Sequence, residues 1–216
     1  QAGINASQGA SVVQVADGGL GRIGDVLQRM KALAAQSLSG VPTDTERAFI
    51  DAEYQELQAE ITDIADTTRF NGQSLLDGAA ATADYFVGTD VSDTITVDFA
   101  ALAAATAAFG AAALGVNLSV GSASAAQAAM SAIDTAIDTV SEARATAGAL
   151  ISRFEFRGQQ IATSLENIDA AKSAIMDVDL AAEQSKLVSS QVLVQAAVSA
   201  VSQANQIPQS LLRVLQ

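Results

Sequence analysis

The chain has 216 residues, half of them hydrophobic but only 4% aromatic, and carries a net charge of −13. That charge argues against nucleic acid, whose phosphates it would repel. Cysteine and histidine are both absent, which removes disulfides, thiol nucleophiles, histidine triads and the usual zinc ligands; no enzyme, metal or cofactor is expected.

From Gly3 to Leu38 the chain reads as a helix, with Val12, Ala16, Leu20, Ile23, Leu27, Met30 and Ala34 on one face. Gly18, Gly19, Gly21 and Gly24 crowd its middle, each costing about 0.5–1 kcal/mol relative to alanine. A helix keeps such a cluster where neighbours approach closely, or it bends there. Ser39-Gly40-Val41-Pro42 stops the helix. Thr43-Asp44-Thr45-Glu46 is a capping box that opens the next one, whose seam is Ile50, Tyr54, Leu57, Ile61, Ile64 and Thr68. So short a link implies an antiparallel hairpin of helices.

Arg69-Phe70-Asn71-Gly72 ends that helix, Asn-Gly being a strong turn signal. Tyr85-Phe86-Val87 and Thr94-Ile95-Thr96-Val97 flank a polar loop and predict a small β-hairpin. In that loop Asp90 and Asp93 lack the twelve-residue pattern of a calcium site, which favours plain turn carboxylates. The alanine-rich stretch 100–113 predicts a short helix closed by Gly110 or Gly115, and 114–120 one further strand.

A long helix, capped by Ser122 or Ser124, then runs to about Met176. Met130, Ile133, Ile137, Val140, Arg144, Ala147, Ile151, Phe154, Gly158, Ile161, Leu165, Ile168, Lys172 and Ile175 recur every 3.5 residues, the coiled-coil beat whose narrow stripe partner helices must cover. The two preceding helices are expected to cover it within one molecule, over a length of roughly 70 Å. Arg144 and Lys172 read as charged heads snorkelling past the seam, in preference to salt bridges between subunits. Gly158 suggests a close helix crossing, with a mild kink as the alternative.

Met176-Asp177-Val178-Asp179 interrupts the beat, and a last helix restarts near Leu180. From Leu187 to Leu212 there is no charged residue. Gln184, Gln191, Gln195, Gln203, Asn205, Gln206 and Pro208 argue against a membrane span, because amides need partners in lipid. The stretch reads instead as an assembly helix, with Leu187, Val194, Val198, Val201, Leu211 and Leu212 as packing residues.

Two groups of motifs resemble a known family. Leu27-Gln28-Arg29-Met30-Lys31-Ala32-Leu33-Ala34-Ala35-Gln36-Ser37, Glu60-Ile61 and Thr68-Arg69-Phe70-Asn71-Gly72 are similar to the amino-terminal signature of bacterial flagellin. Ser173-Ala174-Ile175-Met176-Asp177-Val178-Asp179-Leu180-Ala181-Ala182-Glu183 and Ser202-Gln203-Ala204-Asn205-Gln206-Ile207-Pro208-Gln209-Ser210-Leu211-Leu212 are similar to its carboxy-terminal signature. The resemblance covers about residues 1–80 and 122–216.

The resemblance implies a structural subunit of the flagellar filament, exported through the flagellar type III apparatus and polymerised outside the cell for motility. The hook–filament junction protein, of the same architecture, is the alternative. The implied fold is mainly α: an elongated antiparallel helical bundle or coiled-coil rod with a small β-hairpin element and a protruding C-terminal helix. Its expected parts are amino-terminal rod helices over 1–78, a short variable region over 79–121, a long rod helix over 122–176 and a terminal inner-tube helix over 177–216. Implied partners are other flagellin subunits, the cap and junction proteins, an export chaperone at the C-terminal helix and the flagellin-sensing Toll-like receptor of the host, with no membrane.

By the same resemblance the receptor contacts fall on Arg29, Leu33 and Glu60. Those residues would also pack subunit against subunit, a face hidden in the polymer and open in the monomer. Three departures from the family pattern stand out. The segment that would pair with the last helix is not in the chain, so poor polymerisation is expected of it. The variable region is short, leaving no room for an inserted enzyme domain. The closing Leu212-Arg213-Val214-Leu215-Gln216 differs from the usual ending.

Overall fold

The computed structural model describes residues 1–78, 82–99, 108–176 and 180–214, and within them the side chains of all but 180 and 207–214. Its elements are α1 (Ala2–Leu38), α2 (Asp44–Thr67), β1 (Arg69–Phe70), β2 (Gln73–Ser74), β3 (Ala83–Phe86), β4 (Thr94–Val97), α3 (Ala123–Met176) and α4 (Leu180–Val214). They fall into two compact units, Gln1–Ser164 and Leu165–Gln216. The architecture is mainly α with two small antiparallel strand pairs.

All seven residues of the predicted α1 stripe are buried. The glycine cluster does not break α1, which runs unbroken through it. Close approach explains one member: a Cβ at Gly19 would lie 2.6 Å from Thr68 Oγ1 and 2.8 Å from Leu76 Cδ1, whereas none of these neighbours comes within 4 Å of Gly18.

The capping box forms as expected, Thr43 N–H donating to Glu46 Oε2 at 2.7 Å and Thr43 Oγ1 accepting from Glu46 N–H. The bond from the Thr43 backbone holds the Glu46 carboxyl below its ordinary pKa. The buried face of α2 is Ile50, Tyr54, Gln58, Ile61 and Ala65. Leu57, Ile64 and Thr68 of the predicted seam are only half-buried, so the inward face is turned toward Gln58.

The segment after α2 explains why. Residues 114–120 do not form the expected strand; no second strand lies beside them among the described residues, and their polar groups are met by side chains of α2 and α1 instead. Tyr54 Oη donates to the Val116 carbonyl at 3.3 Å. Gln55 Nε2 and Gln58 Nε2 both donate to the Leu118 carbonyl. Asp51 Oδ1 accepts from the Val120 amide at 2.6 Å and from Ser119 Oγ at 2.8 Å. Ser37 Oγ of α1 donates to the Val120 carbonyl in a buried bond. This extended strap ties α1 to α2, and its burial drives the Tyr54 hydroxyl up to about 12.

The expected helix over 100–113 lies mostly outside the described residues; its last part is a turn, in which the Leu114 amide donates to the Gly110 carbonyl. Gly115, at φ +70°, closes that turn.

Asn71 and Gly72, at φ 50° and 82°, form a two-residue turn between β1 and β2, the positive-φ pair such hairpins need. The larger hairpin pairs Ala83 with Val97 and Phe86 with Thr94. Asp93 behaves as a turn carboxylate: Oδ2 accepts from the amides of Thr89 and Asp90 at 3.1 and 3.2 Å. The Asp90 and Thr89 bonds hold its pKa below the ordinary value.

Ser122 is the cap of α3, its Oγ accepting from the Ala125 amide. Helix α3 runs antiparallel to α1 in a steady register. Lys31 pairs with Asp134 at 2.5 Å and Asp17 with Arg144 at 2.9 Å, the Gly9 position abuts the Phe154 ring, and Gly3 lies beside Ile161.

Several expectations for α3 are revised. Leu165, Ile168 and Ile175 of the expected seam are 57%, 61% and 84% exposed. Arg144 does not snorkel past the seam: it bonds Asp17 across the helix pair, which raises its pKa. Among the described residues nothing lies within 4 Å of a Cβ built at Gly158, so close packing does not explain that glycine. Lys172 is exposed. The expected break at Met176-Asp177-Val178-Asp179 lies mostly outside the described residues.

Candidate assembly surfaces

Helix α4 carries its apolar side chains outward. Leu187, Val194, Val198 and Val201 are 56–64% exposed, as are Val188, Val192 and Leu193 at 55–70%. Leu187, Gln191, Val194, Val198 and Val201 follow steps of four, three, four and three, which places them on one stripe. Gln191 on that stripe and Gln195 beside it offer amide donors and acceptors where a charge would be costly to bury. Burying each valine or leucine contributes about 1.5–3 kcal/mol, so a single helix in water forgoes a large stabilisation. The expected packing residues Leu187, Val194, Val198 and Val201 therefore sit on one open stripe, while the side chains of Leu211 and Leu212 lie outside the described residues. Val188, Val192 and Leu193 were not singled out from the sequence; their signal was membership of the same uncharged run.

The end of α3 is a second open apolar stripe, formed by Leu165, Ile168, Ile175 and Met176. Leu165, Ile168 and Ile175 continue the 3.5-residue beat of α3.

The residues given a receptor role by resemblance separate in space. Arg29 lies on the exposed side of α1, donating through Nε and Nη2 to Glu53 Oε1 of α2 at 2.9 and 2.5 Å. Glu60 lies on α2 seven residues beyond Glu53, on the solvent side. Leu33 is 2% exposed. It shares the inward stripe of α1 with Met30, Ala34 and Ser37, so the structure makes it a core residue and not a free surface anchor.

No group of three or more acidic side chains able to hold a metal occurs among the described residues. What the chain presents is a packed helical unit and long helices with unfilled apolar stripes. Together they define a structural subunit built for helix-mediated assembly.

Comparison with known proteins supplies the family. The amino-terminal helical region of bacterial flagellin matches residues 1–81, and its carboxy-terminal helical region matches residues 130–215. Flagellin of Halalkalibacterium halodurans is 35% identical over the whole chain, which covers 78% of that protein. The flagellar filament 33 kDa core protein of Treponema phagedenis is 32% identical, again over the whole chain and 79% of its own length. Among solved structures, Bacillus cereus flagellin superposes with a TM-score of 0.65 at 28% identity, over 78% of this chain and 94% of that one. The chain belongs to the flagellin family, a family of structural filament proteins. The hook–filament junction alternative draws no support from these relatives.

Proposed function

We propose that this protein is exported through the flagellar type III apparatus and polymerises with copies of itself into the extracellular filament that drives motility. The observation that carries this reading is the apolar stripe of α4, in a run uncharged from Leu187 to Leu212 and exposed among the described residues. Other copies supply the missing cover, and the glutamines bond neighbours inside the packed wall. Before export the same stripe is the natural seat of a chaperone, while the cap and junction proteins bound the ends of the polymer. The test is electron microscopy of the full-length chain after seeding. Helical filaments are expected; persistent monomers under polymerising conditions would count against the reading.

The free monomer is further proposed as a ligand of the flagellin-sensing Toll-like receptor, through Arg29 and Glu60 on the exposed faces of α1 and α2. Leu33 contributes from below, by holding α1 in place. Arg29→Ala and Glu60→Ala are each expected to weaken receptor activation by monomer about tenfold, as removal of an interface anchor does. Unchanged potency for both sinks the assignment.

A further inference from the structure

One basic patch stands out on this acidic chain. On α3, Phe156 is 71% exposed and sits between Arg153 and Arg157, with Ala149, Ser152 and Gln160 around it. Arg153 is exposed and makes no ion pair among the described residues. Arg157 donates to Gln160 Oε1 at 3.1 Å and keeps only a long contact, 3.9 Å, with Asp93. An exposed aromatic ring between two guanidinium groups combines apolar area with forked donors for carboxylates.

The complement lies on the same molecule. Glu53, Glu56, Glu60 and Asp63 follow steps of three, four and three along the exposed side of α2. Only Glu53 is engaged, by Arg29; Glu56, Glu60 and Asp63 make no ion pair among the described residues.

The two faces do not meet within one chain. Helix α3 places Phe154 beside Gly9, and α2 places Thr68 beside Gly19 and Glu53 beside Arg29. Projected on α1, the basic patch therefore lies near residue 8 and the middle of the acidic face near residue 24. At 1.5 Å per residue the offset is about 25 Å along the helices.

We propose that the Arg153–Phe156–Arg157 patch of one copy receives the acidic α2 face of a second copy. The proposal rests on the filament reading and names one of its lateral contacts. Because the two faces differ and are offset along the helices, each copy offers one of each, and the contact propagates in a staggered series instead of closing a pair. Glu56 and Glu60 take the guanidinium groups, while Phe156 packs on the aliphatic stems between them.

Seeded growth of the full-length chain tests this. Arg153→Glu with Arg157→Glu, and separately Glu56→Lys with Glu60→Lys, are each expected to slow growth about tenfold or more, since like charges then face one another. The two pairs combined are expected to restore most of the rate. Monomer circular dichroism controls for folding. The chain has no native cysteine, so a chain carrying both Arg153→Cys and Glu60→Cys is expected to give a covalent ladder in oxidised filaments, with none from either single variant. A disulfide bridges Cα atoms only about 4.4–6.8 Å apart, so the offset makes any such bond intermolecular. Filaments without a ladder, or a combined variant no faster than either pair alone, overturn the proposal. Failure of the unaltered chain to grow would instead count against the filament reading itself.

Discussion

Replacing Val194 and Val198 with aspartate is expected to abolish seeded filament growth while leaving the monomer intact. Both side chains are 64% exposed in the single chain, so the change removes no internal contact and the melting of the Gln1–Ser164 unit stays where it was. If the proposed wall packs α4 against copies of the same run, the carboxylates would be buried with no cation from that run, since no charged residue lies between Leu187 and Leu212. An unpaired buried charge costs at least several kcal/mol, and each 1.4 kcal/mol is a factor of ten. Growth should fall by about a hundredfold or more. Val194→Ala with Val198→Ala tests the apolar part alone and should produce a milder defect. Growth of the aspartate variant at the parental rate would remove α4 from the assembly.

Phe154→Ala is expected to be the most damaging single change to the monomer. The ring is 1% exposed, lies against α1 at Gly9, and meets Tyr85 of the hairpin edge-to-face with centroids 5.5 Å apart. Loss of a buried phenylalanine costs about 3–5 kcal/mol, a fall in melting temperature of about 10 °C for a unit of this size. Gly9 separates packing from helix propensity. Glycine-to-alanine inside a helix ordinarily gains about 0.5–1 kcal/mol, but here the added Cβ would lie 2.5 Å from the ring. Gly9→Ala is therefore expected to destabilise the parent and to stabilise the Phe154→Ala variant, whose cavity accepts the methyl group. Additive effects in thermal melts would show that the two residues do not pack as described.

How much of this was legible in advance depended on how local each signal was. The capping box at Thr43–Glu46 involves residues three apart. The Asn71–Gly72 turn needs only two residues that tolerate positive φ. The face of α1 and the first half of the α3 seam follow from helical periodicity, and the β3–β4 hairpin from β-branched runs around a polar loop. In each case the physical cause lies within a few residues of its effect.

The candidate surfaces were legible in part. The absence of charge marked α4 as a helix awaiting partners, but that Val188, Val192 and Leu193 are also open required exposure to be known. Leu33 looked available because motif resemblance carries a role without carrying a direction. Only packing shows that this side chain points inward beside Met30 and Ala34.

The sequence by itself determined that this protein is a chain of long amphipathic helices with a small β element and an uncharged final helix. Periodicity, caps and turn residues act over one or two helical turns. The tertiary structure decided which carboxylate holds Arg144, and why 116–120 lies as a strap instead of a strand. Those outcomes depend on meetings between residues 60 to 130 positions apart. Such meetings are set by the register of α1 against α2 and α3, which a one-dimensional pattern does not encode.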